Sequence, residues 1–564
     1  MANQQAGDQP VYILREGSTR SRGREAQSFN IMAAMAVAEA VRSTLGPKGM
    51  DKMLVDPTGN VTVTNDGATI LREVDIEHPA AKMICEVAKT QDDEAGDGTT
   101  TAVVFAGELL KKASDLIDMD IHPTVIATGY RTAAAKAKEV LDNMAVPVKK
   151  TDKAQLQEIA RTAMTGKVSE GIGAMLSKLA VDAVLSIEEN GKIDIDNVKI
   201  EKKVGPGIMA SELIKGIVLD KKRASDGMPR TARDAKILLL NVPLEVRKIG
   251  TDTSLKIRSP EQIKGFLDQE NEQLQRKLAT IKKSGASVVF CQKSIEDLLA
   301  NYLGKEGILA IKSVSETDMN KLARATGGRV VTKLEEVTQK DLGYAALVEE
   351  RRVTGEDTLL FVEGCKNPKA MTILLRGGTY TVIDELQRAL HDALRVVGVV
   401  VEDGKIVAGG AAPEVELGLR LREFASTVGG REQMAVEAFA SALDVIPRTI
   451  AENAGLDPID ILVALRSKHE GKAGKNFGLN VDEGKPADML KAGVIEPLRV
   501  KTQAISSAAE AAVMILRIDD VIASGGPSEQ EVAAAQASAQ AQLAGMRGGG
   551  MGGMGGMGMP PMGM

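Results

Sequence analysis

The sequence predicts a multidomain protein with helical ends and an α/β centre. Its 564 residues exceed what one core usually fills, so two to four domains are expected. Apolar residues recur with helical spacing near both ends, and strand-like apolar runs alternate with helical or polar segments in the middle. One economical interpretation is that the two ends form one helical domain into which the middle is inserted.

Composition excludes several classes of protein. Hydrophobic residues make up 43% of the chain and charged residues 26%, as in a globular protein. Aromatic residues are only 2%, and the net charge of −6 is spread along the chain, so no nucleic-acid partner is expected. No apolar run is long enough to span a membrane, and the polar N-terminus lacks a signal region. Three widely spaced cysteines suit a reducing compartment, so a cytoplasmic protein is expected.

The first region is predicted to be mostly helical from residue 30 to residue 145. Residues 1–28 are polar and rich in Gly and Arg, which indicates a loose arm. A helix through Ile31 and Val41 is expected to stop at Gly46-Pro47, since Gly favours a left-handed cap and Pro cannot continue a helix. The elements expected next are a strand at 61–64, a turn at Asn65-Asp66-Gly67, and helices at about 80–94 and 98–118.

The middle and the C-terminal region have different patterns. Residues 244–285 are charged and amphipathic, which predicts a helix inserted between two strands. Helical patterning returns at 379 and dominates to 523, although residues 415–421 alternate as a strand would. The Gly/Met-rich end, 527–564, has the composition of a disordered tail. Strand-like runs are expected at 237–242, 287–291, 308–311, 359–362 and 372–375.

The loop Gly96-Asp97-Gly98-Thr99-Thr100-Thr101 is the strongest candidate for a phosphate site. The residues after it have a helical apolar face, so the loop stands at a helix N-terminus, where free N–H groups and the helix dipole favour an anion. Glycine lets a phosphate approach the backbone closely, and the threonines add hydroxyl donors. Asp97 supplies the hard oxygen ligand that magnesium prefers.

Other interpretations of this loop are weaker or fail. Gly-Asp-Gly alone is usually only a turn. A calcium loop counted from Asp93 would need ligands at Ala95 and Val104, which have none to offer. No Gly-Lys is followed by Ser or Thr, and GxGxxG occurs only in the tail. An ATP site here would therefore be of neither the P-loop nor the Rossmann kind.

Six motifs in one order give the loop a context. Together they resemble the group II chaperonins from about residue 20 to residue 524, and the Gly/Met-rich tail is similar to the archaeal branch of that family, the thermosomes. The motifs are LGPKGMDK (45–52), VTNDGATIL (63–71), GDGTTT (96–101), TGK (165–167), HDALRVV (391–397) and AGGAAPEVEL (408–417).

The resemblance implies an ATPase that uses Mg²⁺ and passes through an ADP state. Asp97 would hold the magnesium ion, and Asp66 and Asp392 would position and polarise the attacking water. Lys167 would sense the γ-phosphate from a middle domain. The remaining residues implied in nucleotide binding are Leu45, Gly46, Pro47, Gly67, Gly98, Thr99, Thr100, Thr101, Gly409, Gly410, Asn480 and Glu496.

Several of these residues have simpler explanations when taken singly. Arg388 and Arg395 flank Asp392 at helical spacing, so spacing alone favours an exposed stripe of ion pairs. Lys167 alone is most often a surface lysine. Ala411 stands where the family often has a third glycine, and its methyl group could alter how that loop meets the nucleotide. For 415–421 the resemblance implies a helix, and Pro413-Glu414 suits a helix start.

The resemblance also implies an assembly and a function. Subunits of this chain or of paralogues would form a back-to-back double ring, a hexadecamer, that encloses unfolded client proteins when ATP hydrolysis closes a lid. The alternatives kept open are a nucleotide-binding scaffold without turnover and an ATP-dependent small-molecule enzyme. The implied layout is an equatorial domain at 1–148 and 403–526, an intermediate domain at 149–220 and 370–402, and an apical domain at 221–369 with its lid protrusion at about 244–285.

Overall fold

The computed structural model describes residues 19–167, 170–246, 260–355, 357–366, 368–471 and 474–523. The Gly/Met-rich end lies outside these ranges, as do Ile249, Leu255 and Ile257, which are candidates for client or lid contacts. The helices of the described part are α1 (Gly23–Arg42), α2 (Gly67–Glu73), α3 (Pro79–Ala95), α4 (Thr99–Asp118), α5 (Pro123–Met144), α6 (Lys153–Met164), α7 (Glu170–Ile187), α8 (Pro260–Ser284), α9 (Asp297–Lys305), α10 (Glu316–Thr326), α11 (Tyr380–Asp403), α12 (Ala412–Ala425), α13 (Arg431–Ala442), α14 (Val445–Asn453), α15 (Pro458–His469) and α16 (Leu498–Leu516).

The strands of the same part form one large sheet and several small ones. They are β1 (Thr19–Arg22), β2 (Lys52–Val55), β3 (Val61–Thr64), β4 (Val146–Pro147), β5 (Val198–Val204), β6 (Glu212–Ile214), β7 (Gly216–Leu219), β8 (Thr231–Leu240), β9 (Val288–Cys291), β10 (Leu309–Ile311), β11 (Val330–Val331), β12 (Gly343–Thr354), β13 (Asp357–Glu363), β14 (Met371–Gly377), β15 (Lys405–Ala408), β16 (Phe477–Asn480), β17 (Lys485–Asp488), β18 (Ile495–Pro497) and β19 (Asp520–Ala523).

The two helical ends of the chain share one hydrophobic core. Buried residues of α1, α3, α4 and α5 pack with buried residues of α12, α13, α14 and α16. Phe439 lies at the centre and meets Phe105 and Tyr130 edge to face, with ring centroids 5.3 and 5.6 Å apart. Such aromatic pairs add stability beyond the area they bury, which suits a core with few aromatic residues.

The predicted loose arm is wrong over residues 19–28. β1 pairs antiparallel with β19 near the other end of the chain, and α1 begins at Gly23. Arg20 and Asp520 form a charge-assisted hydrogen bond within this ribbon. A pairing between segments 500 residues apart leaves no local pattern, so the sequence of the arm did not reveal it.

The central α/β region is built around a seven-stranded sheet. Its strand order is β10-β9-β8-β12-β13-β7, and β11 pairs with β8. The predicted runs at 237–242, 287–291, 308–311 and 359–362 fall on β8, β9, β10 and β13. Although β7 ends before the predicted start of this region at residue 221, it belongs to the same sheet through its pairing with β13. Leu274, Leu278 and Ile281 of α8 are buried in the core of this region.

A third core lies at the segments that join the helical ends to the α/β region. It contains buried residues of α6, α7 and α11, together with residues of β5 and β14. β14 pairs with β5 on one side and with β6 on the other. The predicted strand at 372–375 therefore belongs to a separate three-stranded sheet. Because α11 lies in this core, it can carry a side chain from the joining region toward the helical ends.

The conflict over residues 415–421 is resolved in favour of a helix. α12 spans Ala412–Ala425 and is buried on several sides, including at Val415, Leu417 and Leu421. A helix that is buried on several sides has no single apolar face, so its sequence does not show the 3.6-residue period. The apolar residues of α12 could therefore alternate as they do in a strand. The short strands β15 to β18 in the helical C-terminal region were not predicted. None of the described helices is long and apolar enough to cross a membrane.

Candidate functional site

A cleft with a volume of about 380 Å³ gathers most of the residues singled out in the sequence. Its walls come from both helical ends and from the segment after α6, which carries Lys167. Asp392 and Gly409 are not among the lining residues. The predicted residues that line the cleft are Leu45, Gly46, Pro47, Asp66, Gly67, Asp97, Gly98, Thr99, Thr100, Thr101, Lys167, Gly410, Asn480 and Glu496.

The GDGTTT loop stands at the open N-terminus of α4. Gly96 caps α3 with a φ of 71°, and Gly98 precedes α4 with a φ of 78°, both in the left-handed region that favours glycine. Among the residues that the structure describes, no side chain caps α4, so its first N–H groups are free to bind an anion. The buried amide of Gln91 fixes the loop by donating to the Asp97 carbonyl at 2.7 Å. Sequence reasoning had missed Gln91.

Asp97 is placed to serve as a single protein ligand to a metal ion. One carboxylate oxygen accepts from the Gly98 N–H at 2.7 Å, and its other oxygen accepts from none of the described residues. The described residues contain no group of three or more side chains that could hold a metal alone. Magnesium is commonly held by one or two carboxylates together with phosphates and water. Asp97 beside a phosphate-binding helix terminus therefore fits a magnesium ion that is shared with a nucleotide.

Lys167 and Asp392 form an ion pair at the edge of the cleft. Their side chains are only 12% and 10% exposed. The alternative of an exposed stripe with Arg388 and Arg395 is wrong, because those arginines bond elsewhere: Arg388 to Glu385 and Arg395 to the Asp93 carbonyl. The same ion pair shows that Lys167 is no ordinary surface lysine. Asp392 reaches this position on α11, which ties the joining region to the cleft.

The two predicted catalytic carboxylates have pKa values shifted in opposite directions. Burial raises the pKa of Asp392 well above the ordinary aspartate value, and the charge of Lys167 opposes that rise. Burial would also raise the pKa of Asp66, but Lys167 and hydrogen bonds from Thr69 outweigh it and lower the pKa. Carboxylates separated in this way suit different roles, one as a fixed anion and one as a proton acceptor.

Burial alone would lower the pKa of Lys167, but the charges of Asp392, Asp66 and Asp97 hold it above the ordinary lysine range. Lys167 is therefore a permanent cation among three carboxylates. The part of the cleft around Lys167 therefore has a net negative charge. A triphosphate entering it would be repelled unless cations came with it, which agrees with the fit of Asp97 to magnesium.

Asp66 is held rigidly rather than carried on an open turn. It is the N-cap of α2, where its side chain accepts from the Thr69 N–H at 2.9 Å. Its other oxygen lies 3.4 Å from the Thr99 hydroxyl of α4. The next residue, Gly67, packs so closely on α4 that an added Cβ would lie 2.6 Å from the Thr100 hydroxyl. The VTNDG and GDGTTT motifs are thus one packed unit.

The predicted residue Glu496 belongs to a buried triad whose other members, Lys501 and Glu414, sequence reasoning missed. Lys501 Nζ lies 2.9 Å from a carboxylate oxygen of Glu414 and 2.8 Å from one of Glu496. Burial raises the pKa of Glu496, and Lys501 opposes this. Lys501 lines the cleft, whereas Glu414 lies behind it at the start of α12. Glu414 appeared in the sequence only as a helix start, since its partner is far along the chain.

The loop before α12 is held in a left-handed conformation. Gly410 and Ala411 both have φ values of 62°. For a non-glycine residue this costs about 1 kcal/mol. Ala411 is 2% exposed and lines the cleft, in a conformation that glycine would adopt without this cost. Asn480 lies nearby, and its side-chain oxygen accepts from the Asp482 N–H at 3.1 Å.

Comparison with known proteins shows the family to which the chain belongs. Residues 37–525 match the TCP-1/cpn60 chaperonin family. The chain is 58% identical to the thermosome subunit beta of Archaeoglobus fulgidus, over 93% of this chain and 96% of that protein. It is 55% identical to the subunit alpha of the same organism, over 93% of this chain and 96% of that protein.

The thermosome subunit of Pyrococcus horikoshii gives a further match. It is 58% identical over 92% of this chain and 95% of its own length. The similarity thus covers the cleft, the central α/β region and the segments between them. This protein belongs to the TCP-1/cpn60 chaperonin family and is an ATP-hydrolysing chaperone of the group II kind.

Proposed function

We propose that this chaperone binds ATP with magnesium in the cleft around Asp97 and hydrolyses it there to close a chamber around unfolded proteins. The observation that supports this best is the Lys167–Asp392 ion pair beside the open end of α4. Both partners belong to the joining region, and the carboxylates of Asp66 and Asp97 in the helical ends also act on the charge of Lys167. Hydrolysis then depends on the position of the joining region relative to the helical ends.

Each residue of the cleft has a role that follows from its chemistry. The free N–H groups of α4 and the hydroxyls of Thr99, Thr100 and Thr101 bind the phosphates. Asp97 holds the magnesium ion, which neutralises phosphate charge when it is bound. Lys167 contributes a permanent positive charge that the terminal phosphate approaches. Asp392, with its raised pKa, accepts a proton from the attacking water while Asp66 orients that water.

The other wall of the cleft binds the nucleoside. Ile446, Ile450 and Leu479 provide apolar surface for the base. Glu496 and Asn480 offer acceptors and donors to the base and ribose, and Lys501 fixes Glu496 in place. Leu45, Gly46 and Pro47 also line the cleft and contact the nucleotide, while Gly67 allows α2 to pack closely on α4. A cleft of about 380 Å³ that is lined by both apolar and polar residues suits a nucleotide.

The domain layout is part of the proposal. The equatorial domain comprises 1–148 and 403–526, which is supported by the single core that both ends share. The intermediate domain comprises 149–220 and 370–402, except that β7 joins the apical sheet. The apical domain comprises 221–369, and residues near 244–285 act as a built-in lid. Subunits of this chain, or of paralogues, form a double ring around unfolded clients, and the alpha and beta relatives within one organism favour a paralogous partner.

Replacing Asp392 tests this proposal. We expect Asp392→Ala to bind ADP with unchanged affinity, since Asp392 is proposed to act on the attacking water at the edge of the cleft and not on the nucleotide. Its kcat should fall by about 10²- to 10⁴-fold, the usual contribution of a general base. A matched control is Asp384→Ala on the same helix, where a 41% exposed carboxylate pairs with Lys202 at 2.7 Å. That variant should hydrolyse ATP normally.

Two readouts distinguish the alternatives. Normal hydrolysis by Asp392→Ala would remove Asp392 from the reaction. Binding without measurable turnover in the unmodified protein would instead favour a nucleotide-binding scaffold. The chamber is tested separately by adding an unfolded client and a protease. ATP should protect the client in the unmodified protein and fail to protect it in Asp392→Ala.

A further inference from the structure

A second cleft lies in the helical part of the molecule and shares α14 with the nucleotide cleft. Ile446 and Ile450 line the nucleotide cleft, while Val445, Arg448 and Glu452 line the second. Their spacing puts the two sets on different faces of one helix. The second cleft has a volume of about 440 Å³, and no residue lines both clefts.

The lining of the second cleft is strongly positive. Three acidic residues, Glu108, Asp444 and Glu452, contribute to it against twice as many cationic residues, so the lining has a formal excess of three positive charges. Outside the lining, Glu39 lies 3.6 Å from Arg42 and Asp115 lies 3.8 Å from Lys112, which offsets part of this excess. The charge of the lining is opposite to that of the phosphate side of the nucleotide cleft, where three carboxylates surround one lysine. The cationic residues of the second cleft are Arg42, Lys111, Lys112, Arg422, Arg448 and Arg466.

Two of the arginines depend on one shared carboxylate. Arg422 and Arg466 each donate to the same oxygen of Asp444 at 2.6 Å. The Asp444 side chain is 8% exposed, so this anion is committed to the protein. The buried Nε of Arg466 has no hydrogen-bond partner among the described residues. Arg422 and Arg466 together therefore keep a net positive charge, and the Arg466 Nε–H remains available to donate a hydrogen bond.

Of the remaining cations, Arg42 donates to Glu452 at 2.7 Å, whereas the other three are less satisfied. Arg448 is exposed, and within the described chain its side chain makes no hydrogen bond or ion pair. Lys111 and Lys112 lie 3.8 and 3.9 Å from Glu108, which is beyond hydrogen-bonding distance. These three side chains can turn to a ligand without breaking an internal bond. Arginine and lysine in such density are typical of sites that bind phosphate groups.

We propose that this second cleft binds a polyanion that carries several phosphate groups, independently of the nucleotide site. The volume is that of a small-molecule pocket, and an anion with several negative charges would balance the excess positive charge of the lining. Guanidinium groups of Arg448 and Arg466 would donate to the phosphate oxygens, and Lys111 and Lys112 would add charge at the more exposed side.

Inorganic tripolyphosphate is a suitable probe, since it has the charge but no nucleoside. We would titrate it by calorimetry into the full-length assembled protein, with ADP present at tenfold its dissociation constant and free Mg²⁺ held constant. One tripolyphosphate should bind per chain in addition to ADP. Its affinity should weaken as salt concentration rises, because the contacts are charged and partly exposed.

Charge reversal at Arg448 tests whether tripolyphosphate binds in the second cleft. Arg448→Glu should weaken tripolyphosphate binding at least tenfold while ADP affinity stays unchanged, which also establishes that the variant is folded. Arg131→Glu makes the same charge change at an exposed arginine of α5 and should stay within about twofold of the unmodified protein. Lys111→Glu provides a second variant in the cleft.

Three outcomes would overturn the proposal. The first is that no tripolyphosphate binds when the nucleotide site is filled. The second is that Arg448→Glu and Lys111→Glu bind as tightly as Arg131→Glu. The third is that tripolyphosphate binds only to separated subunits, which would mean that an acidic surface of another copy fills the cleft in the assembly. None of these results depends on ATP hydrolysis, so the proposed ATPase mechanism would stand or fall separately.

Discussion

Lys167 and Asp392 are ion-paired although 225 residues separate them in the sequence. The pair is nearly buried, and Asp66 and Asp97 also act on the charge of Lys167. A lysine from one joining segment thus neutralises carboxylates from three other parts of the chain. Any movement of the joining segments relative to the helical ends must break or remake this arrangement, which gives the protein a physical means of linking hydrolysis to conformation.

The pH dependence of hydrolysis tests the role of this pair. A base works only when it is unprotonated, so kcat should fall as the pH drops through the raised pKa of Asp392, well above the ordinary aspartate value of about 4. Lys167→Met removes the charge that opposes the rise, so the acidic limb of the profile should move to higher pH. Measuring kcat between about pH 4.5 and 8.5 for both proteins checks this. An identical acidic limb in both proteins would contradict it.

The packing of Gly67 against α4 leads to a second prediction. In Gly67→Ala the new methyl group would lie 2.6 Å from the Thr100 hydroxyl and 3.1 Å from its backbone nitrogen, so the phosphate-binding turn must shift. We expect ADP affinity to fall at least tenfold by calorimetry. Gly171→Ala is the control, because an added Cβ there meets nothing within 4 Å. Equal ADP affinity in the two variants would mean that the turn accommodates the methyl group.

The buried triad gives a third prediction. Lys501 is 7% exposed in its side chain, so Lys501→Met leaves Glu414 and Glu496 buried without a cation. Breaking a buried ion pair from one side typically costs about 3–5 kcal/mol, so the unfolding temperature should fall clearly in calorimetry. Adding Glu414→Gln removes one uncompensated charge and should recover part of the loss.

The control for the triad is an exposed ion pair. Lys491→Met breaks a pair with Asp488 in which the lysine side chain is 86% exposed. Such pairs contribute little, so its unfolding temperature should not change. If Lys501→Met behaved like Lys491→Met, or if Glu414→Gln made it worse, the triad would not be held together by charge.

Local patterns predicted the elements of the fold but not the contacts between distant segments. The start of α4 at Thr99 followed from apolar spacing and glycine, because both signals lie within a few residues. The pairing of β1 with β19 and the bond between Lys501 and Glu414 join segments that are far apart, so neither leaves a local signal. The alternation at 415–421 was misleading because α12 is buried on several sides.

The residues that line the cleft were predicted more fully than the contacts between distant elements, for a specific reason. Asp392 alone looked like part of an exposed stripe, and only the order of six motifs suggested that it belongs with Asp66 and Asp97. The structure places Asp392 beside Lys167, outside the lining of the cleft itself. Spacing along one helix gives the face on which a residue lies, but it does not tell what packs on that face.

The C-terminal boundary of the proposed lid is the last feature that the structure makes testable. Leu274 of α8 is only 2% exposed and lies in the core of the α/β region with Leu278 and Ile281. A lid deletion must therefore stop before Leu274. We expect removal of residues 250–268 to leave assembly and ATPase activity near normal, while ATP no longer protects a bound client from protease.

Leu274→Ala separates loss of the lid from damage to the core. It keeps every lid residue but opens a cavity, which typically costs about 2–5 kcal/mol, so it should lower the unfolding temperature and still allow protection of a client below that temperature. The deletion variant should show the opposite combination: an unchanged unfolding temperature and no protection of the client from protease. Protection retained by the deletion variant would refute the lid, because the segment between the described parts of this region would then be unnecessary for closing the chamber.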